Sequence, residues 1–237
     1  GPFATMILAD MGASVIKIER PGTGDDSRAY GPFQGSESAY FMNINRNKKS
    51  LCLDLKNKQG KEVFLNLVRQ SDVLVENFRP GTMGKMGLGY DFLEKLNPRL
   101  IFVSISGFGN DGPYSQRAAY DIIVQAMSGL MSITGEAGGE PTRVGVSSGD
   151  LVAALYAVIG TLMALRHREK TGEGQWVDIA MLDCQVSFLE NAVSRFLISG
   201  VDPVPIGNRH PSIVPFESFS TRDSMLVVAV GNDELWK

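Results

Sequence analysis

Hydrophobic and polar positions change period repeatedly along the chain, and the changes predict an alternation of strands and helices. Residues 1–13 place Phe3, Met6, Ile7 and Met11 at helical spacing behind Pro2, which suits a first helical turn. The motif is already under way at residue 1, and the closing GNDELWK offers Asn232 or Asp233 as the cap of a helix that has scarcely begun, so truncation at both ends is expected. ASVIKIE (13–19) reads as a short apolar strand, PGTGDDSR as loop, and KSLCLDL (49–55) as the next strand. Residues 57–70 predict an amphipathic helix with Val63, Phe64, Leu67 and Val68 on its inner face, and DVLVENF (72–78) returns as a strand, completing a βαβ unit. A short helix over 90–96, stopped by Pro98, leads into LIFVSISGF (100–108), apolar enough for a central parallel strand covered on both faces.

Two long helices follow, over 120–134 and 151–168. The second is expected to bury Leu151, Leu155, Val158, Leu162 and Leu165, and Met127, Met131 and Met163 are assigned to core packing. WVDIAM (176–181) is a further strand and 182–198 a further helix. Gly200, Pro203, Pro205 and Gly207 then mark a linker, and strands over 213–219 and 225–230, joined by STRDS, predict a hairpin. The expected fold class is α/β: a Rossmann-like, doubly wound parallel sheet over 1–200, a linker over 201–211, and the start of a smaller α+β domain over 212–237. Sheets of this kind bind ligands beyond the carboxyl ends of their strands.

Composition narrows the partners. The chain has 237 residues, 43% of them hydrophobic and 21% charged, which is ample for a packed core. A formal charge of -3 supplies no excess of cations for a nucleic-acid backbone or an anionic membrane, so a small molecule is the expected partner. No apolar run reaches the ~18 residues of a membrane span. Cys52 and Cys184 lie in apolar segments without metal-ligand spacing and read as reduced core residues. That usage fits a cytoplasmic protein, or the mitochondrial matrix in a eukaryote.

Candidate chemistry gathers at the predicted strand ends: ERPGTGDDSR, KNKQGK, ENFRPGTMGK and SGFGNDGP combine Arg and Lys with glycines that let backbone donors approach an anion. Neither GxGxxG nor GxxxxGK[ST] is present. Asp150, in VGVSSGDLVAAL, has two readings at this level. It is either an N-cap whose carboxylate accepts first-turn amides, worth ~1 kcal/mol, or a nucleophile held ionised by the helix dipole.

Taken together, GPFATMILADMGASVIKIERPGTGDDSR, NRNKKSLCLDL, DVLVENFRPGTMGKMGLGY, SGFGNDGPYSQRAAYD, GDLVAALYAVIGTLMAL, KTGEGQWVDIAM and GNRHPSIVPF resemble the class III CoA-transferases, the CaiB/BaiF type, across essentially the whole chain. The resemblance implies CoA transfer from an acyl-CoA to a free carboxylic acid, with Asp150 as nucleophile and no permanently bound cofactor or metal. It places Arg20 and Lys85 on CoA phosphates, Leu53 and Lys56 beside the adenosine, and Asn77 and Phe78 near the nucleotide and pantetheine. It implies an interlocked homodimer. Racemases of the same superfamily carry a histidine where this chain has Tyr120, which argues against the racemase or epimerase alternative; a non-catalytic CoA-binding module is the other. GNRHPSIVPF looks closest to members acting on dicarboxylates such as succinate and glutarate, with Tyr120, Arg209 and His210 toward the substrate.

Overall fold

A computed structural model describes residues 1–237. Pro2 opens helix α1 (Pro2–Asp10), which leads into β1 (Val15–Glu19). A 3-10 turn (Asp26–Ala29), capped by the Asp25 side chain, and a small hairpin of β2 (Phe33–Gln34) and β3 (Glu37–Ser38) occupy the loop that follows. Ser38 caps α2 (Ala39–Asn45) by accepting the Phe41 N–H. Next come β4 (Lys48–Cys52), α3 (Lys58–Val68) with Asn57 as its cap, β5 (Val73–Glu76), α4 (Thr82–Lys85), α5 (Tyr90–Leu96) and β6 (Ile101–Ser106). The second half contains α6 (Asp121–Ser128), α7 (Leu130–Ile133), α8 (Ser148–Thr171), β7 (Gln175–Ala180), α9 (Met181–Ser187) and α10 (Asn191–Ser199). The hairpin of β8 (Phe216–Ser220) and β9 (Met225–Ala229) follows the linker, as the residue pattern predicts.

The fold is α/β with parallel sheets. β6 is its axis: every residue is buried, and the strand runs parallel to β5 on one side and β7 on the other. Its alternation separates two cores. Ile101, Val103 and Ile105 pack with Ala4, Val124, Met181, Cys184 and the alanines of α8, while Phe102 packs with Phe64, Val68, Met83, Leu88 and Leu93 from α3 to α5. Helices therefore cover both faces, as the near-continuous apolar run of 100–108 requires. The expected single sheet is nevertheless split: β1 pairs with β4, and β5–β6–β7 form a separate three-stranded sheet. The βαβ unit β4–α3–β5 thus bridges two sheets instead of pairing its own strands.

Three expectations need correction. The helix expected over 120–134 breaks at Gly129, whose φ of +91° ends α6 in a left-handed cap, and that over 182–198 breaks before Glu190, at φ +41°. α8 buries Ala153, Ala154, Ala157, Thr161 and Ala164, whereas Leu155 and Leu162 from the expected stripe are exposed. Small residues let α1, α6, α9 and the sheet approach the helix backbone, and the bulky ones turn outward. Val63, Met127, Met163 and Cys52 are likewise exposed, so assigning them to the core overstated burial. By length and composition α8 alone is apolar enough to cross a membrane; 44% of that window is buried against the protein's own helices and strands.

Candidate active site

Asp150 is the third residue of α8, behind Ser147 at the cap position and Ser148 and Gly149. The Ser147 side chain makes no cap hydrogen bond, and neither does Asp150. The capping alternative for Asp150 is thereby set aside. Its work is done from another element: Asp121, at the start of α6, accepts the Gly149 N–H through Oδ1 at 2.8 Å and the Gln125 Nε2–H through Oδ2 at 2.8 Å, with Arg143 at 3.6 Å. Gln125 in turn accepts the Val144 N–H at 2.9 Å. Asp121 and Gln125 therefore tie the segment leading into α8 to α6, and the glycine lets this happen: a side chain at position 149 would press on Asp121 and Val124, each 3.2 Å from where its Cβ would stand.

With that carboxylate occupied, the Asp150 carboxyl is left accessible and without a protein partner. Its surroundings still act on it. Burial, followed by the negative charge of Asp121, holds it above the usual carboxylate range. The backbone N–H of Asp150 donates to no protein atom, whereas those of Ser148 and Gly149 are taken by Val146 and Asp121. Underneath, Ser148 Oγ and both side-chain polar atoms of buried Gln185 lack protein partners.

The other predicted residues follow strand ends. Arg20, just past β1, is exposed, bonds Thr23 Oγ1 through Nε at 2.7 Å, and pairs with Asp26. Leu53 continues the β1–β4 ladder by donating its N–H to Glu19 at 2.9 Å, and exposed Lys56 lies three residues on. Parallel pairing of Glu19 with Cys52 thus sets Arg20 and the Leu53–Lys56 segment beyond adjacent strand ends. Exposed Asn77 and Phe78 directly follow β5, and Lys85 ends α4. The Asn77 side chain packs on Gly1, so the start of α1 lies beside the loop that follows β5. Tyr120, 79% exposed, immediately precedes Asp121. His210 accepts the N–H groups of Ser212 and Ile213 on Nδ1, at 3.1 and 3.0 Å, and packs on Phe216; Arg209 beside it is exposed. His210 thus holds its own turn, and only Nε2 remains for a ligand. No set of His, Cys, Asp and Glu is arranged to hold a metal.

Asp121 was not singled out in the sequence, although it lies in the quoted RAAYD segment; its role depends on a contact across 28 positions. Asp121→Ala is expected to cost about 1–3 kcal/mol of stability, by leaving the Gly149 N–H without its acceptor. Urea denaturation of the two proteins checks this, and equal midpoints would show that Asp121 does not restrain α8.

The family model for CoA-transferase family III matches residues 1–237. The chain is 49% identical over 238 residues to the acetyl-CoA:oxalate CoA-transferase of Acetobacter aceti, covering 100% of this chain and 61% of that protein. It is 47% identical over 240 residues to the succinate–glutarate CoA-transferase of Agrobacterium fabrum, covering 98% and 60%. Among solved structures it superposes on a CAIB/BAIF family protein from Brucella suis with a TM-score of 0.91 at 42% identity, covering 98% of this chain and 63% of that one. The chain thus spans about three fifths of these relatives. With its whole length matched and the fold reproduced, the chain belongs to CoA-transferase family III.

Proposed function

We propose that the protein of which this chain is part transfers CoA from an acyl-CoA, succinyl-CoA foremost, to a dicarboxylic acid through covalent intermediates on Asp150. The observation that carries the reading is the Asp150 carboxyl itself, accessible and unpartnered in the first turn of α8. A cap would be engaged with the backbone; a nucleophile must be free. A carboxylate raised above its usual range is also more nucleophilic once ionised.

In the first step Asp150 attacks the thioester carbonyl, forming a mixed anhydride and expelling CoA thiolate. The thiolate attacks the aspartyl carbonyl, which releases the donor's acid and leaves an aspartyl-CoA thioester. The acceptor carboxylate attacks this thioester and again frees thiolate, and thiolate attack on the acyl carbonyl of the new anhydride yields product and regenerates Asp150. The free N–H of Asp150 is a donor for the tetrahedral oxyanions. Arg20, Lys56 and Lys85 supply cations for the phosphates of CoA, Leu53 an apolar contact for its adenosine, and Asn77 and Phe78 contacts along the nucleotide and pantetheine. Tyr120, Arg209 and His210 are assigned to the acid, and the proteins named above act on oxalate, succinate and glutarate, all dicarboxylates.

Mixing the full-length enzyme with succinyl-CoA, quenching with hydroxylamine and mapping peptides by mass spectrometry should place a hydroxamate on Asp150. Modification elsewhere, or none, would sink the covalent mechanism. A clear preference for formyl- or oxalyl-CoA as donor would remove succinyl-CoA from the reading.

The same reading includes a homodimer. α8 presents Leu155, Ile159, Leu162 and Met163 on one outward face, and α10 exposes Leu197 and Ile198. An uncovered apolar surface of this kind is what an obligate subunit interface requires.

A further inference from the structure

Three side chains occupy one rung of the β5–β6–β7 sheet: Glu76 is the register partner of Ser104, and Ser104 of Asp178. The rung faces away from α8, on the side of Phe102, and lies near the carboxyl ends of all three strands. Ser104, buried at its centre, donates Oγ–H to Glu76 Oε1. Asn110, from the loop after β6, folds back over the rung. Its Nδ2 donates to Ser104 Oγ at 2.9 Å and Asp178 Oδ1 at 2.8 Å, and its backbone N–H donates to Asp178 Oδ2 at 2.8 Å. At the other end Glu76 Oε2 accepts the backbone N–H of Phe78 at 2.8 Å.

The chain of bonds thus runs from the loop after β5, through the rung, to the loop after β6 and the third strand. Burial, with the charge of Asp178, pushes the Glu76 carboxyl above its usual range, so an acid is kept here against its desolvation. An apolar residue would fill a sheet rung without that desolvation cost, so the carboxyl is accounted for by the hydrogen bonds it accepts from Ser104 and Phe78. What it holds is the turn bearing Asn77 and Phe78, whose own side chains are exposed.

We propose that Glu76 is a positioning residue for CoA: its carboxylate, braced by Ser104, Asn110 and Asp178, sets the backbone at Phe78 so that Asn77 and Phe78 meet the coenzyme before it binds. This rests on the reading of Asn77 and Phe78 as CoA contacts. Preorganising a loop raises affinity by removing the ordering cost from binding, and leaves chemistry at Asp150 untouched.

The test is titration of CoA into the full-length protein by calorimetry, together with steady-state kinetics. Glu76→Ala should weaken CoA about tenfold and raise the KM for acyl-CoA in parallel, with kcat at saturation within about twofold. Glu76→Gln keeps an oxygen for the Phe78 N–H and should recover most of the affinity. Asn110→Ala, in an accessible loop, should weaken CoA in the same sense and serves where Glu76→Ala does not fold. Phe78→Ala reports on the underlying reading. If it leaves CoA affinity unchanged, the loop is not a CoA contact and both ideas fall. If it weakens CoA while Glu76→Ala and Asn110→Ala do not, or if these lower kcat at constant KM, the positioning role alone is overturned.

Discussion

Asp150→Asn is expected to abolish CoA transfer while leaving the protein at least as stable as the wild type. The loss should reach at least about 10⁴-fold in kcat, the scale on which enzymes lose activity when a covalent nucleophile is removed. The amide is nearly isosteric with the acid, so CoA binding, which depends on the strand-end loops, should survive. The stability side follows from the environment of the carboxyl. Burial and the neighbouring charge of Asp121 hold it above its ordinary value of 3.8, which means the fold prefers the protonated form. The stability this contributes is fully present below the unfolded value and is lost as pH rises through the raised one. The wild type should therefore fall behind the Asn variant from about pH 4 upward, and the gap should level off once the native carboxyl is ionised. Melting curves across that range, beside activity assays, check both halves. An aspartate kept only to cap its helix gives the opposite pattern: activity retained and about 0.5–2 kcal/mol of stability lost.

Element order was readable because it rests on local signals. Pro2, the amphipathic pattern of 57–70, the continuous apolar run of 100–108 and the glycine at 200 each act within a few residues, and α1, α3, β6 and the end of α10 lie where they point. What escaped depends on contacts made elsewhere in the chain. The burial of α8 was assigned by side-chain size, yet the close approach of α1, α6, α9 and the sheet selects its alanines, and no periodicity within the helix distinguishes an alanine face from a leucine face. Gly129 and Glu190 interrupt apolar runs that look continuous. At the site, Asp150, Arg20 and Asn77 were singled out because they sit in motifs that resemble those of a known family. Asp121 and Glu76 were not, since the first acts across 28 positions and the second only through a sheet register.

Placing charge on the outer face of α8 is expected to split the full-length protein into monomers without unfolding the protomer. Ile159 is 56% exposed, Leu162 54% and Met163 66%, and they share a helix face opposite the buried alanines. Because they contribute little to the chain's own core, Ile159→Glu with Leu162→Glu should change the melting of an isolated protomer little. In a dimer the same two side chains lose water. Full burial of an apolar side chain is worth about 1.5–3 kcal/mol and little more than half of each surface remains to be covered, so the pair should weaken association by about 10- to 300-fold, before the cost of desolvating two carboxylates is added. Sedimentation velocity at micromolar protein would then show a lighter species for the double variant than for the wild type, with far-UV circular dichroism unchanged. If both sediment alike as dimers, the exposed stripe is covered by another part of the same chain, and the subunit contact lies elsewhere. If the variant fails to fold, those side chains belong to the core after all, and the inside-out distribution of small and large residues along α8 would have to be abandoned.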